Sequence, residues 1–205
     1  MLVGVNATRM ELLRLRRRLS LAARGHHLLS QKRDEISRQL MQIAREIGPL
    51  RKKVEQQLLE TSRRFMLARA MMEPVDIKAA LQTPTKKFSL AVSFARIMNV
   101  KVPHLAKQIE GDIICYGFGF TSAELDVALR ALERAFDPLI ELAEKEKQAY
   151  LLAKELQSTR RRVNVLEHVL IPELQETIKF IYDKLAEVER DNISRLMKIT
   201  DIIRA

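Results

Sequence analysis

The chain of 205 residues has no tryptophan, one cysteine, six glycines, six prolines and only 5% aromatic residues. Each shortage excludes something. A lone Cys115 rules out an internal disulfide and points to a reducing cytosol. Few turn formers and few aromatics, beside 47% hydrophobic and 30% charged residues, point to long helices and a coiled coil. No apolar run approaches the roughly 18–20 residues of a membrane span. The opening stretch MLVGVNATRMELLRLRRR has an apolar run too short for a signal-peptide core, and charges follow at once. The expected localisation is cytoplasmic, at most peripheral to a membrane complex, with no direct insertion.

The net charge of +10 is unevenly placed. Residues 1–70 hold 16 Lys/Arg and 6 Asp/Glu, and the remainder is neutral with 20 of each sign. The first segment therefore faces an acidic partner, a phosphate backbone or an anionic surface.

A first long helix is predicted for residues 1–72. It opens on a capping box, Thr8-x-x-Glu11, in which the hydroxyl accepts from a free backbone N–H. Leu15, Leu19, Ala22, His26, Leu29, Arg33, Ile36, Leu40, Ile43, Ile47, Leu50, Val54, Thr61, Phe65, Ala68 and Met72 follow a 3.5-residue period. Leu58 falls one place off. Such a period implies a left-handed supercoil with a partner helix. Gly48-Pro49 predicts a kink or break, because proline lacks the N–H and crowds the preceding turn.

Residues 73–120 read as an insert punctuated by Pro74, Pro84 and Pro103. In KKFSLAVSF, Phe88, Leu90, Val92 and Phe94 alternate along one side of a strand. A second short strand is expected through VKV before Pro103 and a third through DIICY, giving a small β-hairpin. A second long helix, 121–205, opens on Thr121-x-x-Glu124. Its stripe runs from Leu125, Leu129, Leu132, Phe136, Leu139 and Leu142 to Leu152, Leu156, Val163, Leu166, Leu170, Leu174, Ile178, Ile181, Leu185, Val188, Leu196, Ile199 and Ile203. The stripe resumes beyond Pro138 and Pro172, so these kink the helix rather than end it. The predicted fold is mainly α: a long antiparallel two-helix left-handed coiled coil with a small β-hairpin insert. At 1.5 Å per residue the helices are roughly 100 and 120 Å long, with a C-terminal overhang of roughly 25 Å.

Signatures of chemistry are missing as well. No Walker A loop, GxGxxG or HExxH occurs, and YGFGF lacks the third glycine. His26 and His27 point about 100° apart on a helix, so they do not share a metal easily. Cys115 has no basic neighbour in sequence and reads as a buried strand thiol. Asp34-Glu35 read as a solvated or ion-paired face. No catalytic, cofactor-binding or metal-ligating residue is predicted, and the chain is read as a non-enzyme.

The basic runs Arg16-Arg17-Arg18, Arg51-Lys52-Lys53 and Arg160-Arg161-Arg162 have no stacking aromatics around them and no nucleic-acid motif. A solvated face and a partner-facing protein surface both remain open. With Met72 opposite about Ser122, Arg160 meets Asp34 and Glu167 meets His27. GHHLLSQKRDE (25–35) then lies against TRRRVNVLEH (159–168). Three successive arginines fan over roughly 200°, so one or two can pair with Asp34 and Glu35 while the rest face outward. The candidate register and partner-facing residues are Arg160, Arg161, Arg162, Asn164, Glu167, Lys32, Arg33, Asp34 and Glu35.

NATRMELLRLRRRL, GHHLLSQKRDE, TRRRVNVLEHVLIPELQETIKFI and ERDNISRLMKI together resemble the D-subunit family of the V/A-type ATPases. The resemblance covers both long helices, and the TRRRVN-x-LEH-x-x-IP run is specific. It implies a central rotor shaft that couples ATP hydrolysis or synthesis to ion translocation. The implied partners are a hexamer of alternating catalytic and regulatory subunits, the small central-stalk F subunit and a funnel-shaped subunit above the membrane ring. It also links the β-hairpin to stimulation of ATP hydrolysis. On this reading the arginine run is half register device, half bearing surface. The competing readings are a basic coiled-coil scaffold on nucleic acid, with steeply salt-dependent affinity, and an adaptor at an anionic membrane. The narrow, seam-like apolar stripe disfavours the adaptor.

Overall fold

The computed structural model describes residues 6–82, 85–117, 119 and 121–204. Pro84, read above as punctuation, and Phe118 and Phe120 of YGFGF lie outside them. The chain forms two compact units, residues 1–35 with 156–205 and residues 36–155. Helix α1 spans Arg9–Met71 and α2 Pro74–Gln82; strands β1 and β2 span Lys87–Ile97 and Val100–Glu110; α3 spans Ala123–Val165. A π-helical turn, Leu166–Leu170, leads without a break into α4, Ile171–Arg204. Mainly helical architecture with one antiparallel hairpin between two long helical arms is the expected fold.

Helix α1 starts where the capping box predicts, with the Glu11 N–H donating to Thr8 Oγ1 at 3.2 Å. Every seam position named above on α1 is buried or half-buried, and Gln57 rather than the exposed Leu58 fills the gap between Val54 and Thr61. The expected break at Gly48-Pro49 does not occur, since α1 is helical throughout. A proline inside a helix forfeits one backbone bond, and the seam residues Ile47, Leu50 and Val54 stay covered on either side.

In the first unit, Leu15, Ala22, Leu174 and Ile181 form the core, flanked by Leu12, Leu19, Leu170, Ile171, Ile178 and Leu185. The exposed pair Arg9–Glu189 marks where α1 begins beside α4. Beyond it the stripe continues without cover: Val188, Leu196, Ile199 and Ile203 are exposed, contrary to a buried stripe to the end of the helix.

In the second unit, Ala68, Ala80 and Leu125 form a cluster with Phe65, Met72, Tyr116 and Leu129. The Ser122 N–H donates to Met72 Sδ at 3.3 Å, which is the register expected for the two long helices. Salt bridges Lys145–Glu46 and Arg51–Glu146, each 2.5 Å, cross the helix pair further along. Leu139 is exposed, and Ala135, Pro138 and Ile140 are buried on α3.

The insert differs from expectation in three places, and the start of α3 in a fourth. It opens with helix α2, which was not foreseen; Pro74 stands at its first position and Asp76 in its first turn, both favourable at a helix N-terminus. The second strand does not stop before Pro103 but runs through it, pairing Phe94 with Pro103. DIICY forms no strand, and Cys115 is half-buried in an irregular segment. The cap of α3 is Ser122 rather than Thr121: Glu124 N–H donates to Ser122 Oγ at 3.2 Å, while Thr121 Oγ1 turns back to the Gly117 carbonyl.

The hairpin turn is Met98-Asn99, with φ of 49° and 68°. Two successive positive φ values are the type I′ turn that matches strand twist. At the other end Gly111 has φ +88°, and an added Cβ would stand 2.6 Å from the Thr85 carbonyl oxygen, so only glycine closes this base.

Candidate partner-facing surface on the first unit

Residues 25–35 of α1 and 159–168 of α3 and the π turn belong to one compact unit. The seam here centres on Val163, fully buried, with Leu29 and Leu166 half-covered. Thr159, at seam spacing between Leu156 and Val163, is also buried; the 4–3 alternation could have located it. Around this strip the expected residues fall into three groups.

Arg160, Arg161 and Arg162 are all exposed, as is Asn164. Arg161 and Arg162 flank a shallow groove floored by Leu29, Val165 and Leu166. Asp34 does not receive Arg160: its partner is Arg33 on the same helix, with Nη2 at 2.8 Å. Arg33 also donates to Ser30 Oγ at 3.1 Å. Lys32 and Glu35 are half-buried and engaged. Glu167 meets His26 at 3.5 Å, not His27, which is exposed. His26 occupies a seam position, so its ring is carried towards the opposing helix; that spacing was the available signal. The pair is wider than a hydrogen bond, and His26 Nε2 is buried without one.

The π turn is the feature the sequence reading missed. The Ile171 N–H reaches Leu166 O, five residues back. Pro172 follows at once, and it has no N–H and clashes with the carbonyl four residues earlier. A widened turn relieves that clash. The bend expected at Pro172 therefore takes the form of an extra residue in the helix. The seam spacing is consistent with this: Leu166, Leu170, Leu174 and Ile178 are three steps of four in succession, where a heptad would alternate four and three.

Chemically, the surface offers outward guanidinium groups over a thin apolar floor and an ion-paired band beside it. Among the described residues no group of three or more His, Cys, Asp or Glu is placed to hold a metal ion. Nor is any described helix long and apolar enough to cross a membrane.

The family model for the ATP synthase D subunit matches residues 11–201. The V-type ATP synthase D subunit of Acetivibrio thermocellus is 48% identical, over 98% of this chain and 93% of its own length. That of Clostridioides difficile strain 630 is 46% identical, over 98% and 92%. That of Fusobacterium nucleatum is 43% identical, over 98% and 96%.

Proposed function

The chain belongs to the ATP synthase D-subunit family, and from that premise we propose that it is the central rotor stalk of a V/A-type rotary ATPase. It couples ATP hydrolysis or synthesis in a catalytic hexamer to ion translocation in a membrane ring. It is itself non-catalytic, and stands on the cytoplasmic side, peripheral to the membrane. Its partners are the alternating catalytic and regulatory subunits, the small central-stalk F subunit and the funnel-shaped subunit that reaches the ring.

The observation that carries this reading is the far end of α4. Ile193, Leu196, Met197, Ile199, Ile202 and Ile203 are 52–78% exposed, and they lie beyond Glu189, which pairs with Arg9 at the start of α1. A lone helix with that much apolar surface is suited to a protein socket. The exposed arginines suit a turning contact as well, since they form weak, exchangeable pairs with acidic groups. An asymmetric shaft favours a different nucleotide state at each catalytic interface, so rotation links their binding free energies.

Native mass spectrometry of the chain purified from its own cells with MgATP tests this. One copy with a three-plus-three hexamer is expected. Discrete oligomers without a hexamer, or nucleic acid released by salt, would overturn it.

A further inference from the structure

The hairpin has one covered edge and one bare edge. Strand β2 lies along α3: the Leu105 N–H donates to Glu144 Oε2 at 2.9 Å, and Gln148 Nε2 reaches the Pro103 carbonyl at 3.4 Å. His104 Nδ1 lies 3.0 Å from Glu144, and Lys107 pairs with Asp137. These contacts show that residues 103 and 105 direct their backbone groups away from β1. In an antiparallel ladder, opposed residues share that orientation. Phe94 faces Pro103 and Val92 faces Leu105, so Val92 and Phe94 direct their N–H and C=O groups to the outer edge of β1. By the two-residue period, so do Phe88 and Leu90.

That outer edge is long and uncovered. Strand β1 has eleven residues, of which only the last is not exposed. The side chains that alternate with the ladder are apolar and emerge progressively: Phe88 stacks on Phe136 and is 41% exposed, then Leu90 is 45%, Val92 54% and Phe94 71%. Proteins blunt such edges with short strands, proline or inward charges, or cover them. Strand β1 carries no proline, and its only charges are Lys87 and Arg96 at its ends. Lys101 stands opposite Arg96. There is no acidic residue on β1, and the only one on β2 is Glu110 at the base.

We propose that an acidic, extended segment of a partner protein adds to the outer edge of β1 as a third strand. Its backbone pairs with Leu90, Val92 and Phe94, its apolar side chains cover theirs, and its carboxylates meet Lys87, Arg96 and Lys101. Main-chain bonds give such an addition its affinity and alternate side chains its specificity. The proposal rests on the reading that the chain works inside an assembly.

The experiment compares amide hydrogen exchange of the isolated chain with that of the chain in the ATPase assembly purified with MgATP. The amides of Leu90, Val92 and Phe94 exchange freely in the isolated chain and are slowed at least tenfold in the assembly. The paired variant is Val92→Pro. Pro103 already occupies an outward position on the opposite strand, so the hairpin tolerates a proline there while the added strand loses its bond. The variant keeps its far-UV circular dichroism and loses the protection at Leu90 and Phe94; Val92→Ile keeps both. An assembly in which these amides exchange as fast as in the isolated chain overturns the proposal. So does a Val92→Pro assembly with unchanged protection, or protection arising in a dimer of the chain alone. Absence of any hexamer would overturn the rotor reading itself, and is read separately from the mass of the complex.

Discussion

At the scale of single residues, the hairpin is fixed by three positions that do not read as functional. Gly111 combines φ +88° with a backbone oxygen 2.6 Å from where a Cβ would stand. Gly111→Ala is expected to destabilise the second unit by about 2 kcal/mol, measured by urea unfolding. At the opposite end Asn99, with φ 68°, holds a conformation glycine adopts at no steric cost. Asn99→Gly is expected to stabilise by less than about 1 kcal/mol in the same assay. Glu144 fastens β2 to α3. Burial pushes its carboxyl up, but the Leu105 N–H, His104 and Gln148 outweigh burial and hold it below its ordinary 4.5. A carboxyl lowered by folding contributes stability above its unfolded value, and that contribution is lost as pH falls through the folded one. Docking of the hairpin on α3 is therefore complete at neutral pH and weakens as pH drops below about 4.5. Glu144→Gln should flatten that acid limb, followed by the amide signals of β2 between pH 3 and 6.

At the scale of elements, the π turn shows how far a hydrophobic pattern can be trusted. The α1 seam was legible position by position, because a 3.5-residue period has one solution on a regular helix. The opposing stripe was legible up to Leu166 except at Leu139, which is exposed, and again from Leu170 to Leu185. What lay between was not, because an apolar residue four or three places on satisfies a loose stripe equally well. Only the run of three steps of four from Leu166 to Ile178, which spans Pro172, marks the extra residue. The strand through Pro103 was missed for a related reason: proline argues against a central strand, yet a two-stranded ribbon has outward positions that need no N–H. Helix α2 was hidden because Pro74 reads as a breaker unless it is placed at a helix start. In the candidate surface, all three successive arginines are exposed, where the fan across the helix had one or two of them pairing with Asp34 and Glu35, and Asp34 is taken by Arg33 instead. The partner of Glu167 was misplaced by one residue, which the π turn's irregular spacing makes unsurprising. The π turn also predicts an asymmetry between insertions and deletions. Deleting Val169 together with Pro172→Ala removes the extra residue of the π turn and the proline clash, so the thermal midpoint should hold or rise. Inserting one alanine after Glu155 turns every following stripe residue by about 100° and should lower the midpoint by at least 10 °C, read by circular dichroism.

At the scale of the whole molecule, the residues that stabilise the chain differ from those left exposed for a partner, and this separation can be tested. Residues 187–204 are exposed throughout, so the end of α4 adds almost nothing to the folded chain alone. The charge pairs across the helices, Arg9–Glu189, Lys145–Glu46 and Arg51–Glu146, lie at the surface with only Lys145 half-buried, and pairs of that kind add little to stability. The seam carries the fold. The six apolar side chains from Ile193 to Ile203 instead hold a reserve that only a partner can use. Burying them is worth on the order of 10 kcal/mol before the cost of association is subtracted. Removing residues 191–205 should therefore leave the unfolding free energy of the chain within about 0.5 kcal/mol. On the proposed rotor reading, the same truncation should lower ion-coupled ATP hydrolysis of the assembled complex at least tenfold, because the tip would no longer bear on the catalytic interfaces. The measurement is paired: unfolding of the isolated chain, and ion transport per ATP in reconstituted vesicles. A truncated chain that melts early would mean the tail packs on its own unit. One that melts normally and transports normally would mean the reserve is never used, and the rotor reading would have to rest on the arginine surface alone.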